Sequence, residues 1–79
     1  MNTPAKRNQE QRLIEYEHDM KLIMLALGLD RTTAKAIIKN YEKYIINWLG
    51  TRDIPIITAA MAARLLIRAV YPNDDIDGL

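Results

Sequence analysis

Apolar residues recur every three to four positions along most of the chain, which is the spacing of amphipathic α-helices. No segment alternates apolar and polar residues with the period of two that is typical of a half-buried strand. The pattern predicts an all-α fold: a compact three-helix domain with helices over about 9–27, 31–49 and 56–71. Outside this domain we expect a flexible N-terminal arm, 1–8, and a short acidic C-terminal tail, 72–79.

The residues at the predicted helix ends support these boundaries. Gly28 and Gly50 follow the first two helices, where glycine readily adopts the left-handed conformation that ends many helices. Asp30 is a suitable N-cap for the second helix, and either Asp53 or Thr58 could cap the third. The predicted helices are therefore separated by residues that favour turns and caps.

Each predicted helix carries an apolar stripe that should face a common core. In the first two helices the stripes comprise Leu13, Tyr16, Met20, Ile23, Met24 and Leu27, then Ala34, Ile37, Ile38, Tyr41, Tyr44, Ile45, Trp48 and Leu49. The third helix is rich in alanine and almost wholly apolar, so we expect it to pack centrally. Its Arg64 and Arg68 should open to solvent or to a ligand.

The amino-acid composition excludes most kinds of covalent catalysis. The 79 residues include no Cys, no Ser and one His, so a thiolate nucleophile and a Ser–His dyad are impossible. Glu15 and His18 have the Glu-x-x-His spacing of carboxylate di-metal bundles, but the other helices offer only Glu42 as a further carboxylate. A solvated helix face explains these residues better. We therefore predict no enzymatic activity, no catalytic residue, no metal and no cofactor.

The net charge of +1 is a sum of unequal parts. Residues 30–52 carry +3, whereas residues 72–79 carry −3. A local basic surface is what nucleic-acid binding requires, although exposed helix faces are also commonly rich in lysine. No apolar run approaches the roughly 18 to 20 residues of a membrane span, and the N-terminal residues do not resemble a secretion signal. A cytoplasmic location is therefore expected.

Residues 22–39 contain the one motif that points to a family. Gly28 permits a left-handed turn, Leu29 supplies an apolar residue at the corner, and Asp30 begins the next helix. In this order the segment resembles the helix-turn-helix of bacterial and phage DNA-binding proteins. The resemblance implies a small regulatory protein that places a reader helix, 31–43, in the major groove of duplex DNA. The DNA-binding residues that it implies are Arg31, Thr32, Lys35, Ala36, Lys39 and Lys43.

The side chains of this implied reader helix suit base and phosphate contacts. An arginine such as Arg31 can bind guanine with two hydrogen bonds. Thr32 and Ala36 can contact a thymine methyl group, while Lys35 and Lys39 can meet guanine or phosphate. The resemblance therefore assigns a DNA contact to each of these positions in the first turns of the implied reader helix.

A plain antiparallel helical hairpin with a Gly-Leu-Asp turn would produce the same pattern. The alternative function is a non-catalytic protein-interaction module, an adaptor or inhibitor that docks on a larger partner and does not bind DNA. Its interface residues would be Leu22, Leu25, Ile46, Arg64 and Arg68. A homodimer is expected because so short a chain buries only about 60 to 65% of its unfolded surface. A near-perpendicular crossing of the first two helices would favour the DNA reader, and a near-antiparallel one the hairpin.

Overall fold

The computed structural model describes residues 8–72 and contains four α-helices in that range. The helices are α1 (Gln9–Ala26), α2 (Arg31–Asn40), α3 (Glu42–Leu49) and α4 (Ala59–Val70). No strand occurs within residues 8–72, which confirms the all-α class. Of the predicted arm and tail, Asn8 and Pro72 belong to the described range; the remaining residues, 1–7 and 73–79, lie outside it.

The N-terminus of α1 is capped by the residue that precedes it. The side-chain oxygen of Asn8 accepts a hydrogen bond from the Gln11 N–H at 2.7 Å, and this bond satisfies one of the amide groups that a helix start leaves unpaired. The helix then buries Tyr16, Met20 and Met24. These three residues are four positions apart and therefore lie on one face of α1.

α1 ends in a hydrogen-bonded turn that depends on glycine. Gly28 has a φ of +108°, in the left-handed region. Its N–H donates to the Leu25 carbonyl at 3.1 Å, and the Leu29 N–H donates to the Met24 carbonyl at 3.0 Å. This pair of bonds is a Schellman motif, which satisfies carbonyls at the helix end. Leu29 packs against the core, as its place at the corner predicts.

The prediction of one helix over 31–49 is wrong, because the chain leaves helical geometry at Tyr41. This residue has a φ of −112° and a ψ of 24°, away from the usual α-helical values. Its N–H still donates to the Ile37 carbonyl, and its own carbonyl accepts from the Ile45 N–H, both at 3.1 Å. Asn40 and Tyr41 have low helix propensity. The interruption between α2 and α3 therefore occurs where helix formation is weak.

The last helix begins at Ala59 and not near residue 56, because Thr58 is its cap. The Thr58 hydroxyl accepts from the Met61 N–H at 3.1 Å. The N–H groups of Ile56 and Ile57 donate instead to the Trp48 carbonyl at the end of α3, at 2.8 and 3.3 Å. These bonds hold both isoleucines in the connecting segment, 50–58. Of the two predicted caps, Thr58 is the correct one.

The core forms where α1 meets the other three helices. Its buried residues are Tyr16, Met20, Met24, Ala34, Ile37, Ile38, Ile45, Leu49, Ala62, Ala63, Leu66 and Ile67. The central position expected for the alanine-rich helix belongs to α1, which contacts all three other helices, whereas α4 packs mainly against α1. The small side chains of Ala62 and Ala63 are fully buried and allow the two helices to approach closely.

Two residues of the predicted stripes are exposed instead of buried. Tyr44 is 58% exposed, and its ring lies between the rings of Tyr41 and Trp48, with centroid distances of 5.9 and 6.3 Å. Tyr44 therefore packs against aromatic residues three and four positions away along the chain instead of against the core. Leu27 is also exposed, because it lies beyond the last residue of α1, at its C-cap.

Candidate functional site

The six residues assigned to DNA binding share one exposed surface, which we call the basic face. It consists of Arg31, Thr32, Lys35, Ala36, Lys39 and Lys43, all of which are exposed. On the opposite side of α2, Ala34, Ile37 and Ile38 are buried in the core. The N-cap prediction for α2 is confirmed, since the Asp30 carboxylate accepts from the Thr33 N–H at 3.3 Å. Hydrogen bonds from the Thr33 side chain and, to a smaller extent, from its backbone lower the pKa of Asp30. DNA contact by the basic face stays a prediction.

A groove between α1 and α2 shows how the two helices run. It is lined by Ile14, Glu17, His18 and Lys21 from α1, and by Lys35, Ile38, Lys39 and Glu42 from α2 and the start of α3. The residues from both sides lie at similar distances along the chain from the turn at Gly28. Two helices joined by a short turn share such a groove when the second runs back beside the first.

Contacts at the C-terminal end of α3 show that the returning chain continues beside α1. The Gly50 carbonyl accepts from the Gln9 side-chain amide at 2.8 Å and from the Arg12 guanidinium at 3.4 Å. Gly50 follows α3, and Gln9 begins α1. The path from α2 through α3 therefore returns along α1 from its C-terminal end to its N-terminal end. This arrangement is typical of an antiparallel helical hairpin and favours it over a reader helix that crosses its predecessor at a steep angle.

Two carboxylates lie beside the lysines of the basic face. The Oε2 atom of Glu17 is buried without a hydrogen-bond partner in the described part of the chain. Burial raises the pKa of Glu17, and the negative charge of Glu42 raises it further. Both residues line the same groove as Lys35 and Lys39. Their negative charge opposes the approach of a phosphate backbone along this edge of α2.

The residues predicted for a protein interface are not brought together. Leu22 and Ile46 are exposed, at 48% and 44%, whereas Leu25 is partly buried. Ile46 lies in a groove beside Gln9, and Leu22 is about 20 Å further along α1 at 1.5 Å per residue. Arg64 and Arg68 are exposed on α4, as expected. The predicted interface is therefore dispersed over several faces of the bundle.

A different apolar surface forms at the end of α3, and sequence reasoning missed two of its three isoleucines. We call it the isoleucine groove: a concavity of about 580 Å³ lined by Gln9, Ile46, Asn47, Gly50, Thr51, Arg52, Ile54 and Ile56. Ile54 is 78% exposed and Ile56 is 71% exposed. They flank Pro55, and the placement of Ile56 in the predicted third helix, 56–71, concealed that it is exposed beside Ile54.

The backbone that carries these isoleucines is held by hydrogen bonds. The Ile56 and Ile57 N–H groups donate to the Trp48 carbonyl, and the Tyr16 hydroxyl donates to the Ile57 carbonyl at 2.7 Å. Tyr16 is buried in the core, and this burial raises its pKa to about 12. The hydroxyl therefore stays protonated at neutral pH and remains a donor. The exposed isoleucines are thus presented by an anchored segment.

No protein-family model, no curated protein and no solved structure matches this chain. The choice between the two expected functions therefore depends on the geometry of the basic face and the isoleucine groove.

A cluster of metal ligands and a membrane-spanning helix are both absent from the described range. Residues 8–72 contain no group of three or more His, Cys, Asp or Glu side chains arranged to hold a metal ion. His18 is exposed in the groove between α1 and α2. In the same range, every helix is too short or too polar to cross a membrane.

Proposed function

We propose that the chain is a non-catalytic protein-interaction module that binds its partner through the isoleucine groove. One observation carries this proposal: Ile46, Ile54 and Ile56 converge on a single concavity while each leaves a large part of its surface in water. Singly exposed apolar residues are ordinary, but a cluster of them around a concave surface is typical of binding sites.

The energetics of the isoleucine groove support a bound state. Full burial of an isoleucine side chain is worth about 1.5 to 3 kcal/mol relative to leaving it exposed. The free chain does not gain this energy at Ile54 and Ile56, because their segment is hydrogen-bonded to α3 and α1 and the side chains point away from the core. A partner that covers the groove gains it. Little backbone ordering is then needed on binding, which lowers the entropic cost.

Site-specific photo-crosslinking tests the proposal. A photoreactive residue replaces Ile54 in cells that produce the chain, and the matched control replaces Met61, an apolar residue of α4 that is 50% exposed. We expect a protein adduct of defined mass from position 54, little from position 61, and loss of the adduct when Ile46→Asp is added. Equal labelling from both positions, or no adduct from position 54, would contradict the proposal.

Duplex DNA binding by the basic face is a second candidate function, favoured by the exposure of all six predicted contact residues on one side of α2 and α3. If it holds, binding at low salt should weaken steeply as salt is raised. Lys35→Glu with Lys39→Glu should abolish it, while Arg64→Glu with Arg68→Glu on α4 makes the same change in charge and should preserve most of it. Fluorescence anisotropy with duplex DNA measures this, and binding that is equally sensitive to both pairs would contradict readout by α2.

A further inference from the structure

The isoleucine groove contains features that a surface needs to bind a copy of itself. In a symmetric dimer the same patch contributes from both sides, so it must carry a projection together with a recess, and both signs of charge. Ile54 and Ile56 project, being 78% and 71% exposed. Beside them lies the recess between Ile46 and Gly50. Gly50 lacks a side chain, and the Ile56 side chain lies close to it at one edge of this recess.

The charges at the edge of the groove are also self-complementary. Arg52 and Asp53 are adjacent and exposed, and both border a second concavity that is otherwise lined by Ile54 and Ile56. The remaining polar residues of the isoleucine groove, Gln9, Asn47 and Thr51, are neutral. A strongly acidic or basic partner would leave one of the two charges facing a like charge. A second copy offers an aspartate for each arginine.

We propose that the isoleucine groove is the contact surface of a symmetric homodimer, in which Ile54 of each copy enters the recess of the other and Arg52 faces Asp53 across the two-fold axis. This inference rests on the proposed function and names its partner. The proposed contact lies away from Leu22 and Leu25 of the predicted protein interface, which are near the other end of α1.

The proposed dimer leaves Lys35 and Lys39 of the basic face outside the interface. The groove lies where α3 ends and α1 begins, whereas the basic face starts at Arg31, beside the opposite end of α1. Lys35 and Lys39 are therefore expected to remain accessible in the dimer. Substitutions on the basic face provide a control that changes charge without touching the proposed contact.

Sedimentation equilibrium of the purified chain tests the dimer. We expect the average mass to rise with concentration from that of the 9.1 kDa chain towards twice this value, with half-dissociation at about 10 to 100 µM. Ile54→Asp should give a monomer, whereas Met61→Asp and Lys39→Glu should retain the dimer. Because all three positions are exposed, the fold should survive, and circular dichroism verifies this. A wild-type chain that stays monomeric up to about 1 mM would overturn the inference.

A charge exchange tests the pairing across the two-fold axis. Arg52→Asp alone and Asp53→Arg alone should each weaken self-association by at least about tenfold, since each places four like charges at the interface. An equimolar mixture of the two variants should recover dimerisation, because each then offers the charge the other lacks. Unaltered association of either variant, or no recovery in the mixture, would overturn the arrangement. Asp53 also borders a pocket that Arg12 lines within the same copy. Recovered dimerisation in the mixture would show that Asp53 faces the partner copy.

The two proposals can fail separately. If the purified chain is monomeric but position 54 crosslinks to a different protein in cells, the homodimer is wrong and the interaction module stands. If position 54 gives no adduct and the chain is monomeric, both are wrong. An adduct between two copies of the chain, lost with Ile54→Asp in solution, supports both.

Discussion

Replacing Leu66 by alanine is expected to lower the free energy of unfolding by about 2 to 5 kcal/mol. Leu66 is 1% exposed and lies on the face of α4 that packs into the core. Its truncation removes buried apolar surface and leaves a cavity that the close contacts of α1 and α4 cannot readily collapse. A chain of 79 residues has only about 4 to 12 kcal/mol of stability in total, so this loss should be visible as a large drop in the urea midpoint.

The adjacent residue supplies a matched control for this result. Leu65 has the same side chain on the same helix but is 41% exposed. Leu65→Ala should therefore cost less than about 1 kcal/mol, because the side chain has less buried surface to lose. Chemical denaturation of both variants measures the difference. Equal losses at the two positions would contradict the described orientation of α4.

Replacing Gly50 by alanine is expected to cost about 2 to 4 kcal/mol and to disturb the isoleucine groove. Gly50 has a φ of +70° and a ψ of −168°, a combination that is essentially restricted to glycine. A Cβ atom there would also lie 3.2 Å from two side-chain carbons of Ile56. The variant strains the backbone at the end of α3, and Ile56 must also shift by a few tenths of an ångström to admit the new Cβ atom.

Two further variants separate backbone strain from crowding at Gly50. Gly28 also has a positive φ, but an added Cβ would meet nothing within 4 Å. Gly28→Ala should therefore report backbone strain alone, at about 1 to 2 kcal/mol. Adding Ile56→Ala to Gly50→Ala should recover part of the loss by removing the crowded side chain. If Gly50→Ala costs no more than Gly28→Ala, the described contact with Ile56 is wrong.

The features that sequence predicted well depend on local chemistry. Asp30 and Thr58 cap helices through hydrogen bonds to amides three residues away, and Gly28 ends α1 within two residues of its position. Such interactions involve neighbours in the chain, so the residue types are sufficient to place them. The buried stripe of α1 is equally local, because it follows from helical periodicity.

The features that sequence did not predict depend on distant partners. Ile56 and Ile57 could have opened the last helix, but the Trp48 carbonyl and the Tyr16 hydroxyl hold them in the connecting segment. The apolar periodicity of α1 and of α2 likewise does not indicate the direction in which α2 runs relative to α1. The Gly-Leu-Asp turn suits both a hairpin and a helix-turn-helix. Only the α1 residues that lie beside α2 in the fold favour the hairpin.

A distance between two labels tests directly whether α2 returns along α1. The chain contains no cysteine, so His18→Cys with Lys39→Cys carries spin labels at two exposed positions of the shared groove. Each lies about ten residues, or about 15 Å, from the turn. The hairpin predicts label attachment points about 10 Å apart, whereas a right-angled crossing predicts about 20 Å. Electron paramagnetic resonance that gives the longer distance would contradict the antiparallel path and restore the case for a DNA reader.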